Sequence, residues 1–183
     1  MRHPELFLAP ALLLADYYLT LWGAQLAERG YRNHFKSASY ELNPVWRDDV
    51  AKLKWFNWRH LLLAGIVTAL LWWAGETDVL FDDWFFPLMF GMVLGALIPI
   101  ICQHIANIYT FDFLRRNPNE ITGEVTFSMR YAIVASLAHG VTVLVLLIVA
   151  AALTQAPVVY GMLLGASVLT LARFNWLRAA KRD

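Results

Sequence analysis

Five stretches of this chain are apolar for long enough to cross a lipid bilayer, and that constrains its fold more than any motif does. They run over Glu5–Ala27, His60–Gly75, Trp84–Tyr109, Ser128–Leu153 and Pro157–Ala179. A helix that spans the hydrocarbon needs about 20 residues, within a range of about 17–25. The second stretch reaches that length once Trp58 and Arg59 are counted at its interface, and Trp72 and Trp73 near its far end fit an aromatic belt. Of the 183 residues, 59% are hydrophobic and 16% are charged. A soluble domain averages roughly 45–50% and about 25%, so the surplus apolar surface calls for the bilayer as a second solvent. The expected fold is all-α: a polytopic membrane helix bundle with five transmembrane helices and a short cytoplasmic amphipathic helix. It forms a single integral membrane domain over residues 1–183.

The connections sort by charge. The segment from Glu28 to Arg59 carries Arg29, Arg32, Lys36, Arg47, Lys52, Lys54 and Arg59. The next, Glu76 to Asp83, holds Glu76, Asp78, Asp82 and Asp83 and no base. The third, Thr110 to Phe127, has Arg115 and Arg116, with Arg130 just beyond. The fourth is uncharged, and Arg173, Arg178, Lys181 and Arg182 close the chain. Basic residues flanking spans favour the cytoplasm. The first and third connections and the C-terminus are therefore expected inside, and the N-terminus, with Arg2 as its one Lys or Arg, outside. The first stretch carries Asp16 at its middle and offers no convincing cleavage site, so it reads as a retained helix rather than a signal peptide.

The first connection is too long for a simple loop. Asn43 suits an N-cap and Pro44 the first helical turn. Asp48 and Asp49 precede Lys52 and Lys54, as the helix dipole prefers. Trp46, Val50 and Leu53 recur at helical spacing, which predicts a short amphipathic helix up to about Phe56. In the third connection, Asn117-Pro118 and Gly123 read as turns. Gly91 and Gly95, and Gly161 and Gly165, are small-residue pairs one turn apart; at least one pair is expected to pack against another helix, within the chain or across a possible homodimer.

Ionisable and polar groups inside a span are costly, at about 2.5–3.5 kcal/mol for a charge at mid-helix, and normally face the bundle interior. Asp16, Thr20 and Gly23 share one face of the first helix. Gln103, His104 and Asn107 close the third stretch; Ser136 and His139 lie in the fourth; Ser167 and Thr170 lie in the fifth, with Arg173 below them. These groups concentrate in the cytoplasmic half and near the midplane. The expectation is a cavity open to the cytoplasm that ends near Asp16, lined by Thr20, Gln103, His104, Asn107 and His139, with Glu41 and Asn43 at its mouth.

Asp16-Tyr17-Tyr18-Leu19-Thr20, Gly23 and Glu41-Leu42-Asn43-Pro44 resemble the motifs of a family of small prokaryotic multi-pass membrane proteins, a domain of unknown function with an Asp-x-x-x-Thr helix and a Glu-x-Asn-Pro motif. The likeness covers about the first third of the chain, and the gap between Gly23 and Glu41 is longer here. It implies that Asp16, Thr20, Glu41 and Asn43 act together, and it supplies no substrate.

Three functions remain open at this level. The cavity could bind or transport a cation, a proton or a small polar solute. It could be an intramembrane enzyme acting on lipid or peptide, with His104 or His139 as general base. Or the chain could be a non-catalytic scaffold. No zinc-protease His-Glu-x-x-His, Gly-x-Ser-x-Gly or phosphate loop is present. Cys102 stands alone, which excludes an intramolecular disulfide and a multi-cysteine zinc site. The two histidines with Asp16 and Glu41 would make a mixed nitrogen–oxygen metal site, but no particular cofactor is implied. The net charge of +1 argues against a nucleic-acid partner and leaves the lipid bilayer as the expected one.

Overall fold

The computed structural model describes residues 3–37, 39–77 and 83–180. Arg2, Asp78, Asp82, Lys181 and Arg182, used in the charge argument, lie outside them. Among the described residues the chain is all-α apart from one small strand pair. A tight turn over Pro4–Phe7 leads into α1 (Leu8–Leu26), which continues through a widened turn over Ala27–Tyr31 into the single turn α2 (Arg32–His34). Then come β1 (Phe35–Ser37), α3 (Arg47–Ala51), α4 (Trp58–Thr77), α5 (Phe85–Arg116), β2 (Val125–Phe127), α6 (Met129–Thr154) and α7 (Pro157–Ala179). The segment Pro4–His34 and the helices α4, α5, α6 and α7 are each long and apolar enough to cross a membrane.

Local chemistry sets the ends. Ser128 caps α6, its Oγ accepting from the Tyr131 N–H at 3.3 Å. Gln155 ends α6 with φ 51°, and Pro157 opens α7 after only two linking residues, so the two helices lie side by side and antiparallel. Helix α5 outruns its apolar stretch by about two turns. Its last part carries Asp112, paired with both Arg115 and Arg116, so these charges are satisfied on the helix itself.

Helix α5 is the centre of the bundle. It packs most extensively on α7, then on α1 and α4, while α6 packs on α7. The glycine faces explain the closest contact. A Cβ added to Gly91 would meet the Val158 carbonyl oxygen, and one on Gly161 that of Leu88; Gly95 and Gly165 face Met162 and Met92 in the same way. The two glycine pairs therefore pack against each other inside the chain, backbone to backbone. On the other side of α5, Leu6, Ala9, Leu71, Ala74, Phe86 and Phe90 form a core at one end, and Leu13, Ala64 and Leu97 continue it towards the middle. Elsewhere the apolar surface is exposed. On α6 alone, Val141, Val145, Leu146, Ile148, Val149 and Leu153 are each more than half exposed.

The expected amphipathic helix is shorter than its pattern. It covers Arg47–Ala51 only. Asn43 begins it with a turn, Oδ1 accepting from Val45 N–H at 3.0 Å and the carbonyl from Arg47 N–H at 3.1 Å. Leu53 adopts φ 47°, a left-handed conformation that stops the helix, and Lys54 N–H turns back to the Asp49 carbonyl. The apolar face is as the spacing requires: Val50 packs with Tyr17, Leu21 and Ala24 of α1, flanked by Trp46 and Leu53. Behind it, Asn57 Nδ2 donates to Asp49 Oδ2 at 2.9 Å, Lys54 pairs with Asp49, and Tyr17 Oη donates to the Lys54 carbonyl at 2.7 Å. Buried His60 completes this latch. Its Nε2 lies 2.9 Å from the Leu13 carbonyl, which can only accept, so Nε2 carries the hydrogen; the ring stacks on Tyr17.

The two long connections join through β1 and β2, paired in parallel with Phe35 opposite Val125 and Lys36 opposite Thr126. His34 Nδ1 contacts the Gly123 carbonyl at 3.0 Å, and Lys36 pairs with Glu124 at 2.6 Å. Gly123 has φ 86°, which favours glycine at this turn.

Candidate functional site

Asp16 and Thr20 lie one turn apart on α1, facing α5, and His104 meets them from α5. Thr20 Oγ1 donates its single hydrogen to the Asp16 backbone carbonyl at 2.8 Å. It therefore accepts from His104 Nε2 at 2.9 Å, which assigns the ring hydrogen to Nε2. The same Nε2 lies 3.4 Å from Asp16 Oδ1, a buried oxygen with no hydrogen bond among the described residues. Nδ1 faces the Tyr40 hydroxyl at 3.5 Å. A proton arriving at Nδ1 would thus create an imidazolium whose other nitrogen already points at a carboxylate.

Gly23 makes the second half of this arrangement possible. A Cβ there would collide with the Tyr40 hydroxyl and ring, so the missing side chain leaves the notch into which Tyr40 inserts. Tyr40 in turn carries Glu41 to the cavity. Glu41 Oε1 accepts from the Asn43 N–H at 2.6 Å. Burial pushes the Glu41 carboxyl above its ordinary range, opposed by that hydrogen bond and by His104, and reinforced by Asp16. Desolvation also drives the Tyr40 phenol up to about 12.

Asp16, Thr20, Glu41, Asn43, Gln103, His104 and Asn107 all line one cavity of about 290 Å³ at the end of the bundle bearing the two long connections. His139, expected beside them, does not. It is exposed on the outer surface of α6. That helix buries Ile133, Ser136 and Gly140, and His139 sits one residue before Gly140, about 100° round the helix from it. The mixed metal site loses a ligand for the same reason. Among the described residues, no three of His, Cys, Asp and Glu are grouped so as to hold a metal ion.

The far wall comes from residues that sequence spacing did not single out as site residues: Ser136 of α6, and Arg173 and Trp176 of α7. Arg173 is 5% exposed, and its Nη1 donates to the Ser136 carbonyl at 3.1 Å. Its signal was present as a base two turns short of a helix end. Tyr40 had none, because its position depends on the Gly23 notch. Neither protein-family models, nor curated proteins, nor solved structures give a match to this chain.

Proposed function

We propose that this is a multi-pass membrane protein whose polar cavity opens to the cytoplasm and binds or transports a cation, a proton or a small polar solute. The N-terminus lies outside and the C-terminus in the cytoplasm. The observation that carries the reading is the contact of His104 with Asp16 Oδ1, a buried carboxylate oxygen with no hydrogen bond among the described residues. An intramembrane acid left open to a partner marks an ion or proton pathway. Thr20 gives its proton to a backbone carbonyl and receives one from His104, which weighs against a Thr20 nucleophile with His104 as its base.

The test compares the wild type with Asp16→Asn in liposomes, following proton, sodium and potassium flux. Asparagine keeps the shape and loses the charge. Asp16-dependent flux should disappear while the variant folds and purifies normally. Equal behaviour of the two proteins towards all three ions would favour a scaffold.

A further inference from the structure

Asn43 lines the Asp16 cavity, and its neighbour Pro44 lines a second pocket of about 350 Å³ at the same end of the bundle. Its chemistry is the reverse of the first. Among the described residues no acid lines it, whereas Arg47 of α3 and Arg130 of α6 both do. Each guanidinium is held within the chain only by a backbone carbonyl at long range. Arg47 Nη2 donates to Leu42 at 3.4 Å, and Arg130 Nη1 donates to Ala180 at 3.4 Å. Hydrogen bonds from nitrogen are usually about 2.7–3.2 Å. Arg47 Nε is buried and has no hydrogen bond among the described residues. The first turn of α6, behind its Ser128 cap, adds partial positive charge at the same rim.

A guanidinium presents five donors in a planar fork that matches phosphate oxygens two at a time. Turning either side chain from its long carbonyl contact onto a phosphate would exchange that contact for a charge-assisted pair and give Arg47 Nε an acceptor. Two cations from separate elements also match the charge of a phosphate monoester, about −1.5 to −2 at neutral pH, better than that of a carboxylate. Pockets for small ligands start at about 300 Å³, so this one admits a small phosphorylated molecule or the headgroup end of a larger one. Its floor is apolar. Ile133 lies five residues beyond Ser128 in α6, and Trp176 four residues before Ala180 in α7, so these walls run roughly 6–7 Å deeper into the bundle than the rim.

We propose that this pocket binds a phosphate monoester between Arg47 and Arg130, borne either by a lipid headgroup or by a soluble molecule. The proposal does not rest on the ion site at Asp16. Calorimetric titration of the full chain in non-ionic detergent, at fixed ionic strength, tests it with three probes: glycerophosphate, dihexanoyl phosphatidic acid and glycerate. At least one phosphate probe should saturate a single site, and glycerate should bind about tenfold more weakly or worse. Phosphatidic acid binding about tenfold or more above glycerophosphate identifies a lipid headgroup; equal affinities identify a soluble ester. Arg130→Gln should weaken phosphate binding about tenfold or more. Ala179→Glu places a carboxylate at an exposed position on the pocket wall and should do the same; it carries the test if Arg130→Gln does not fold. Absence of saturable phosphate binding, glycerate binding as tightly as glycerophosphate, or unchanged affinity in the deciding variant would overturn the proposal. Ala179 is outside the Asp16 cavity, so Ala179→Glu should leave Asp16-dependent ion flux intact and the two readings can fail separately.

Discussion

At the scale of residues, the site is built by assigning single hydrogens. Thr20 has one, and the Asp16 carbonyl takes it, which forces His104 to be the donor across the α1–α5 boundary. Glu41, outside the helices, is a carboxyl whose protonation the surroundings change. Its folded-state carboxyl titrates above the ordinary value, chiefly through desolvation. The protonated form is favoured on folding, so this contribution to stability is complete below the ordinary carboxylate range and is lost as pH rises through the raised value. Glu41→Gln keeps an oxygen for the Asn43 N–H and removes the titration. Thermal unfolding in detergent across the acid-to-neutral range should show a flatter curve for Glu41→Gln than for the wild type. Parallel curves would mean that Glu41 is solvated in the folded protein.

At the scale of elements, the α5–α7 seam is the most demanding contact. A side chain at Gly95 would meet the Met162 backbone, including its Cα at 2.5 Å, and no rotamer change can move a backbone aside. Overpacking of this kind costs about 1–3 kcal/mol, occasionally more. Gly95→Leu and Gly161→Leu should each lower the unfolding temperature in detergent, and the double variant should lose less than the sum, because both damage one seam. The helices and the glycine faces were legible in the sequence because length, hydropathy and one-turn glycine spacing are local signals, whereas the pairing of the two faces with each other was not. Asp16, Thr20, Gln103, His104 and Asn107 could be singled out because polar groups stand out in apolar runs. His139 stood out for the same reason and yet faces outward: two residues three apart on α6 differ by about 60° in direction, and only packing on α7 decides that Ser136 turns inward. The amphipathic helix was overextended because nothing in its spacing announces the left-handed Leu53 or the Asp49–Asn57–Tyr17 latch that terminates it.

At the scale of the whole molecule, many large apolar side chains are exposed on helices long enough to cross a bilayer, while the ionisable groups of the cavity gather at one end. The basic connections lie at that end, which gives the proposed orientation its physical basis. A reporter fused after residue 183 should therefore read as cytoplasmic, and one inserted between Glu76 and Asp83 as external. Finding both reporters on the same side would remove the five-span arrangement.

The seam between α5 and α7 has a consequence for biogenesis. Helix α6 is made before α7 exists, yet it packs substantially only on α7 among the long helices. The packing of α1, α4 and α5 on one another does not involve α6, so that part of the bundle does not need it. Only when the glycines of α7 close on those of α5 does Arg173 arrive opposite the acids. The site is thus completed only when α7 arrives, and a chain truncated before α7 would carry an acidic half-site with no counter-wall.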